Sequence, residues 1–366
     1  MTVRHATDPQ AWETFVTAQR YASFLQSWTM GEVYRDIGQE PIRLVAEDPS
    51  TGSGQATIAG ACQAIVVPAR RGKHLMVQYG PLVRDEPTLL ALLDALKDEA
   101  RSRGCSFLRV SPFWLEKDPL ATDLRAHGAV DSPMHLLSEY TWYIPLKETD
   151  RWAGSDPSAT KRAPEHILAG MRKTTRNLVG RAEREGVTVE ASTNPIEDLE
   201  AYFALQEETR KRHHFVPYRA SYIRSQVKRF APLGQAIVYI AKYQGEVVAA
   251  SVHMSYAGIT SYHHGASTHK HAKIPASYLL QWTAICNALE RGDDIYNFWG
   301  IAPRHVLDDG KEVIIDPKHP FAGVTTFKTG FGGNPLPLTH CTDIPLTGGY
   351  RFTRAFETFR KWKRGF

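Results

Sequence analysis

Lys328 stands in the string TTFKTGFGG, just ahead of Gly330, Gly332 and Gly333. A fixed cation in such a place can stabilise the negative charge that builds on a carbonyl oxygen when an ester is attacked. The glycines would let backbone approach a ligand closely; the plainer alternative is a solvated lysine before a glycine turn. Arg212, in TRKRHHF, and Arg35, in GEVYRDIG, carry guanidinium groups able to make two parallel hydrogen bonds to a phosphate. Exposed helix arginines are the alternative for both. Tyr262 and His264, in SYHHGAS, alternate along a strand-like run and are expected to share one face. That face would meet a substrate or form the half-buried polar side of a sheet.

Arg172, Lys173, Arg176 and Arg184 lie along one helical stretch, where they could neutralise nucleic-acid phosphates or simply form a charged solvent face. Arg354, Arg360, Lys361, Lys363 and Arg364 near the end have the same two readings, with an anionic membrane surface as a third. Two histidine pairs, His213-His214 and His263-His264, raise the question of a metal. Adjacent strand residues are expected to point to opposite faces, and no Asp, Glu or Cys spacing completes a ligand set, so no metal is expected. Cys62, Cys105, Cys286 and Cys341 are widely spaced without a CxxC pair, which argues against a zinc cage or redox motif.

These residues need elements to hold them. Strands are expected over Ile42–Ala46, Gln55–Val67, His74–Tyr79, Phe107–Val110 and Thr141–Ile144, with an amphipathic helix over Thr88–Ser102, where Leu89, Leu92, Leu93 and Leu96 recur at helical spacing. After a Gly/Ser/Pro-bearing linker at Asp150–Pro164, the order repeats. A long helix over His166–Glu185 leads to a strand at Val187–Ala191 and a helix at Leu199–His213. A hairpin around Gln244-Gly245 follows, then a strand at Thr260–Gly265, a helix at Ala276–Arg291 and a buried strand at Ile295–Trp299. The alternation reads as mixed α/β, and the last helix, Tyr350–Phe366, could return to the first half. The shared order makes internal duplication a suspicion.

At 366 residues the chain exceeds the usual reach of one core, so two domains are expected: 1–150 with 345–366, and 151–344. With 42% hydrophobic and 23% charged residues it reads as globular rather than disordered or fibrous. A net charge of +5 is mildly basic, far from a histone-like signal, and no DNA partner is expected. The N-terminal MTVRHATDPQAWETF has no apolar run like a signal peptide, and no stretch is long enough to span a bilayer. A cytoplasmic location follows as the expectation, with peripheral contact at the inner membrane face left open.

Taken in order, FLQSWTMGEVYRDIG, YGPLV, HLLSEYTWYIPL, MRKTTRNLVGRAEREGVTVE, TRKRHHF, SYHHGAS, LLQWTAICNALERGDDIYNFWGI and FAGVTTFKTGFGGNPLPL resemble the FemABX family of aminoacyl-tRNA-dependent peptidyltransferases. They span most of the chain. The resemblance implies two acetyltransferase-like (GNAT) domains, each a twisted mixed sheet flanked by helices, with no metal and no acetyl-CoA or other cofactor. No long heptad pair interrupts the second half, so the chain is more similar to the compact FemX subgroup, without an inserted coiled-coil arm. No [QR]-x-x-G-x-[GA] loop of the kind that holds the CoA pyrophosphate is found.

By this resemblance the functional Phe-Lys pair maps onto Phe327 and Lys328, and Arg212 and Arg35 would hold a diphosphate-linked precursor in a cleft between domains. Tyr262 would contact substrate, and His264 stands where a second tyrosine is usual. Ser111, in LRVSPFW, replaces a more common aspartate near the substrate amine, so no carboxylate base is available there. Arg172, Lys173 and Arg176 would touch tRNA. The implied partners are aminoacyl-tRNA and a peptidoglycan precursor, UDP-MurNAc-pentapeptide or lipid II. The implied reaction is transfer of an amino acid onto a stem-peptide amine, building a cross-bridge. The alternatives are a related ligase acting on a secondary-metabolite peptide or a protein N-terminus, an acyl-CoA N-acyltransferase, and a non-catalytic RNA- or membrane-binding protein.

Overall fold

The computed structural model describes residues 1–48, 57–69, 72–154, 160–213, 217–306, 312–314 and 316–364. The chain divides into two compact units, Met1–Glu139 with Pro337–Phe366, and Tyr140–Leu336. The first runs through β1 (Thr2–His5), α1 (Pro9–Thr17), α2 (Trp28–Asp36), β2 (Pro41–Asp48), β3 (Thr57–Val67), β4 (His74–Gln78), α3 (Glu86–Ser102), β5 (Phe107–Ser111), α4 (Pro119–Ala126) and β6 (Val130–Asp131). The second contains β7 (Tyr140–Pro145), α5 (Pro164–Gly170), α6 (Lys173–Arg184), β8 (Thr188–Ala191), α7 (Pro195–His213), α8 (Ala220–Phe230), β9 (Ala236–Tyr243) and β10 (Glu246–Tyr256). It continues with β11 (Ile259–Ser267), α9 (Ala276–Arg291), β12 (Ile295–Gly300), β13 (Arg304–Val306), β14 (Glu312–Ile314), α10 (Ala322–Thr329) and β15 (Asn334–Pro337). The chain then returns to the first unit as β16 (Thr342–Pro345) and α11 (Tyr350–Arg364).

Each unit holds a seven-stranded mixed sheet, ordered β1-β2-β3-β4-β5-β16-β6 in the first and β8-β9-β10-β11-β12-β7-β15 in the second. The two orders correspond strand for strand. Each contains one parallel pair, β4–β5 and β11–β12, whose crossover is a helix, α3 or α9. The strand next to each parallel pair comes from elsewhere in the chain: β7 precedes the rest of its sheet and pairs antiparallel with β12, while β16 follows its sheet and pairs antiparallel with β5. Thus the strand Tyr140–Pro145, expected to close the first unit, lies in the second unit's sheet.

In the first unit α3 buries Leu89, Leu92, Leu93 and Leu96 against β2, β3 and β5, and each leucine removed from water contributes about 1.5–3 kcal/mol. Its start is set by Asp85, whose carboxylate accepts from the Thr88 amide at 2.8 Å. The returning end is fixed by ions: Arg109 on β5 makes two hydrogen bonds to Asp343 on β16, at 2.7 and 2.9 Å, and two to Glu357 on α11, at 2.6 and 3.3 Å. Burial alone would lower the Arg109 pKa, but the hydrogen bonds to Asp343 and Glu357 raise it, so the guanidinium stays charged.

The FLQSWTMG string is architectural. The Gln26 amide donates to Gln78 O at 2.7 Å and Gln63 O at 3.1 Å, and its oxygen accepts from the Gln63 amide, pinning the chain before α2 to β3 and β4. Any side chain at Gly31 would collide with Arg43, which bonds Gln63, Trp28 O and Glu32 beneath it.

The second unit corrects one long helix and adds another. The expected helix over His166–Glu185 is two, broken where Met171 takes an extended conformation and is buried. The helix α8 had no counterpart in the sequence reading. The residue before it, Arg219, makes no side-chain cap. Among the described residues no helix is long and apolar enough to cross a membrane.

Candidate active site

In the second unit the parallel register of β11 with β12 covers only Ile259↔Ile295, Thr260↔Tyr296 and Ser261↔Asn297, although β11 runs on to Ser267. Two backbone irregularities lie at that point. Against β10, Tyr262 pairs with His253 and His264 with Val252, so His263 is an extra, bulged residue. On β12 the register against β7 shifts between Asn297 and Gly300, and Trp299 has φ of +63°. A tryptophan in the left-handed region is strained, and such strain persists where the surroundings impose it.

The bulge overturns two expectations at once. Val252 and His253 are successive strand residues and face opposite ways, so Tyr262 and His264 do too, rather than sharing a face. The neighbours His263 and His264, expected on opposite faces, have ring centroids 4.0 Å apart. His264 packs with Tyr202 of α7 and with Tyr218, its Nε2 is buried without a hydrogen-bond partner, and burial pushes its pKa down to about 3. It is neutral and points away from Lys328. Among the described residues no cluster of three His, Cys, Asp or Glu could hold a metal ion. His214 and the His213 side chain lie outside the described residues.

Tyr262 faces α9 and α10. Its ring stacks on His253 at 5.4 Å, and a methyl group at Gly265 would fall on that ring. His253 is wholly buried and held near pKa 3 by that burial. Its Nε2 lies 2.8 Å from Tyr296 Oη, which itself donates to Gln281 Oε1 at 2.6 Å. Since the tyrosine proton is committed to Gln281, His253 Nε2 donates. This neutral chain supports Tyr262 from below. The only sequence sign of it was a histidine inside the apolar run VVAASVHMSY.

Lys328 sits in the last turn of α10, 7% exposed, with Nζ 5.7 Å from the Tyr262 ring centroid. It donates to Gly300 O at 2.6 Å, the carbonyl just after the strained Trp299. Among the described residues no carboxylate pairs with it, and burial lowers its pKa from 10.5 to about 7. Phe327 packs edge-on against Tyr278 and Phe331. The glycines beside Lys328 serve the protein's own packing rather than a ligand's approach. A side chain at Gly330 would meet Thr175, one at Gly332 would meet Gly170 O, and one at Gly333 would overlap Tyr143 O. The last two also have φ of +80° and +97°.

A cavity of about 480 Å³ opens beside this group, walled by Ser251, Tyr262 and Gly265 of the sheet, Pro275 to Tyr278 at the start of α9, and Phe327. The α9 N-terminus has no side-chain cap, because Pro275 occupies the capping position. Lys273 lies exposed at the rim with no ion pair among the described residues. An open helix start and an unpaired cation favour an anion. Lys273 and the α9 start were not singled out from sequence, although KIPAS before an apolar periodic run was a readable helix-start signal.

Four amides of the loop leading to α9 are engaged within the protein. The His269 amide is taken by Glu208 Oε1 at 2.6 Å, the Lys270 amide by Thr268 Oγ1, and those of Ala272 and Ile274 by His269 O and His271 O. These four amides, one of them bound to a carboxylate, are therefore already used within the protein.

Among the described residues, none of the remaining expected ones lines this cavity. Arg35, on α2 of the first unit, is bound by Glu32 and Glu40, each at 2.8 Å. Ser111 ends β5, is 1% exposed, and its carbonyl accepts from the Tyr79 amide at 2.7 Å. Arg172 donates to Thr329 Oγ1 at 3.2 Å and Arg176 to Ala169 O at 2.6 Å, so both tie down chain around α10 and α6, while Lys173 is exposed. Arg212 is the last but one residue of α7, and its side chain lies outside the described residues.

Residues 169–305 match the acetyltransferase (GNAT) domain family, less than half of the chain and entirely within the second unit. No curated protein sequence matches significantly. Among solved structures, FemX is similar over 98% of this chain and 100% of its own, with a TM-score of 0.77 at 17% identity. A conserved protein of unknown function from Bacteroides thetaiotaomicron has a TM-score of 0.55 at 13% identity, covering 94% of this chain and 99% of its own. The C-terminal domain of a putative lysylphosphatidylglycerol synthetase from Agrobacterium fabrum has a TM-score of 0.54 at 14% identity, covering 96% of each chain. The chain therefore has the two-unit, GNAT-like mixed α/β fold of FemX.

Proposed function

We propose that this chain is an aminoacyltransferase that moves an amino acid from aminoacyl-tRNA to the stem-peptide amine of a peptidoglycan precursor, with the donor ester seated in the second unit's cavity. The observation that carries the reading is Lys328: a buried lysine with no carboxylate partner among the described residues, beside a cavity whose mouth offers one anion position. Attack by the amine on the ester carbonyl puts negative charge on the carbonyl oxygen, which the Lys328 ammonium would stabilise. Collapse breaks the ester C–O bond, the amide forms, the amine nitrogen loses a proton and the tRNA ribose oxygen gains one. The ester is already activated, so no ATP enters.

A single phosphodiester near the ester suits Lys273 and the α9 start better than a pyrophosphate does. Phe327 and Tyr262 would line the donor's place. Arg35 and Arg212 are the candidates for the acceptor's diphosphate, and Ser111 offers no carboxylate to act as base for its amine. Arg172, Lys173 and Arg176 would follow the tRNA backbone. A tRNA donor puts the reaction in the cytoplasm.

The test offers purified protein charged tRNAs bearing labelled amino acids, with UDP-MurNAc-pentapeptide or lipid II as acceptor. RNase-sensitive transfer to either supports the reading, and no transfer from any charged tRNA to either acceptor rejects it. Transfer only to other peptides or protein N-termini would keep the donor and replace the acceptor. RNase-insensitive, acetyl-CoA-dependent acylation would favour the acyl-CoA reading that the GNAT match suggests.

A further inference from the structure

Helix α11 shows an aromatic face that the fold leaves uncovered. Tyr350 and Thr353 are each 4% exposed, and Glu357 on the same side reaches Arg109. On the opposite side Phe352 is 82% exposed, Phe359 56% and Trp362 78%, with Phe356 half-buried between them. Their spacing of seven and three residues sets these rings in one stripe along the helix, and the Phe359 and Trp362 rings lie 6.0 Å apart. Three large aromatic rings this exposed on one short helix mark a contact surface rather than scattered surface apolars.

The charge around the stripe identifies the partner. Arg351, Arg360 and Lys363 lie beside it and form no ion pair among the described residues. The helix's only acid, Glu357, is committed to Arg109. We infer that α11 is an interfacial helix that lays its aromatic stripe into the surface of an anionic phospholipid bilayer, its cations meeting the headgroup phosphates. Phe and Trp on one side with Lys and Arg alongside is the arrangement that such a surface stabilises, because the rings enter the acyl boundary as the cations stay at headgroup level. A folded RNA would meet the cations but leave the rings in water, since its bases are already stacked. The anchor at Arg109 and Asp343 keeps the buried side seated in the first unit during docking. The inference stands independently of which acyl donor the second unit uses.

The test is co-flotation of the full chain with phosphatidylcholine vesicles, alone or with about 30% phosphatidylglycerol. Binding to the anionic vesicles is expected, at least about tenfold stronger than to neutral ones and weakened by high salt. A Phe352→Ser/Phe359→Ser/Trp362→Ser variant should lose at least about tenfold in binding while keeping its melting temperature, because the replaced side chains are exposed. Lipids brominated on the acyl chain should quench wild-type fluorescence more than that of Trp362→Phe, which places Trp362 itself at the membrane. Absence of binding to anionic vesicles overturns the inference. So does undiminished binding by the triple variant, or loss of tRNA binding in that variant without any vesicle binding by the wild type.

Discussion

The two sheets have one strand order and differ at the helix that crosses between their parallel strands. In the first unit β4 and β5 stay in register over five residue pairs, and the start of α3 is closed by its own Asp85. In the second the register stops after three pairs, β11 bulges at His263, Trp299 is strained, and the start of α9 carries no cap. Both helix starts border a cavity, about 600 Å³ at Asp85 and 480 Å³ at Pro275. A carboxylate occupies the anion-favouring end in one, and an unpaired Lys273 stands near it in the other. Identical topology can thus be sealed or left open to an anionic ligand by a few residues, which is why fold alone does not assign chemistry.

The closing strands differ as well, and the largest expected effect tests them. In the first unit Asp343→Asn would leave Arg109 with a weakened buried partner and should cost about 3–5 kcal/mol in chemical denaturation. Loss below about 1 kcal/mol would show that Glu357 suffices to hold β16. In the second unit β7 is held against glycine backbone, and Trp142 Nε1 donates to Gly332 O at 2.6 Å. There Gly333→Ala should cost about 2–3 kcal/mol through its positive φ and the overlap with Tyr143 O; an unchanged midpoint would show that β7 can shift.

Lys328 gives the comparison a pH axis. Its folded pKa of about 7 lies below the unfolded 10.5, so the charged form is disfavoured by folding. The penalty is fully present below pH 7, shrinks as pH rises from 7 to 10.5 and is absent above. Lys328→Met should therefore be more stable than wild type below pH 7 by about 5 kcal/mol less the lost bond to Gly300 O, with the gap closing by pH 10.5. A pH-independent gap would contradict the burial of an unpaired cation. The smallest effects concern the two helix starts. Asp85→Ala should lower stability by about 1 kcal/mol without touching donor binding. Lys273→Glu should raise the donor Kd by about five- to tenfold with stability unchanged. If Asp85→Ala weakens donor binding as much as Lys273→Glu does, the assignment of the donor to the second unit fails.

Much of this architecture was legible in the sequence. The leucine spacing of α3, the Gln244-Gly245 hairpin and the α9 periodicity each come from local preferences that the packing did not override. The bulge at His263 was not legible, because it is a property of the register between two strands, and one extra residue inverted the faces assigned to Tyr262 and His264. Nor was the break at Met171, where burial of one side chain outweighed a continuous helical pattern. The Arg109–Asp343 pair spans most of the chain, beyond any local signal. Lys328 and Phe327 are candidates that the resemblance supplied, and the glycines after them were misread, since their close approaches are to Gly170 and Tyr143 rather than to a ligand.

The most direct test is single-turnover transfer from a charged tRNA by Lys328→Met, measured with donor affinity. The account predicts a rate lowered at least about 100-fold with donor Kd changed less than about threefold, as for loss of a group that acts on the transition state. A wild-type rate, or a defect carried wholly by donor binding, would contradict it.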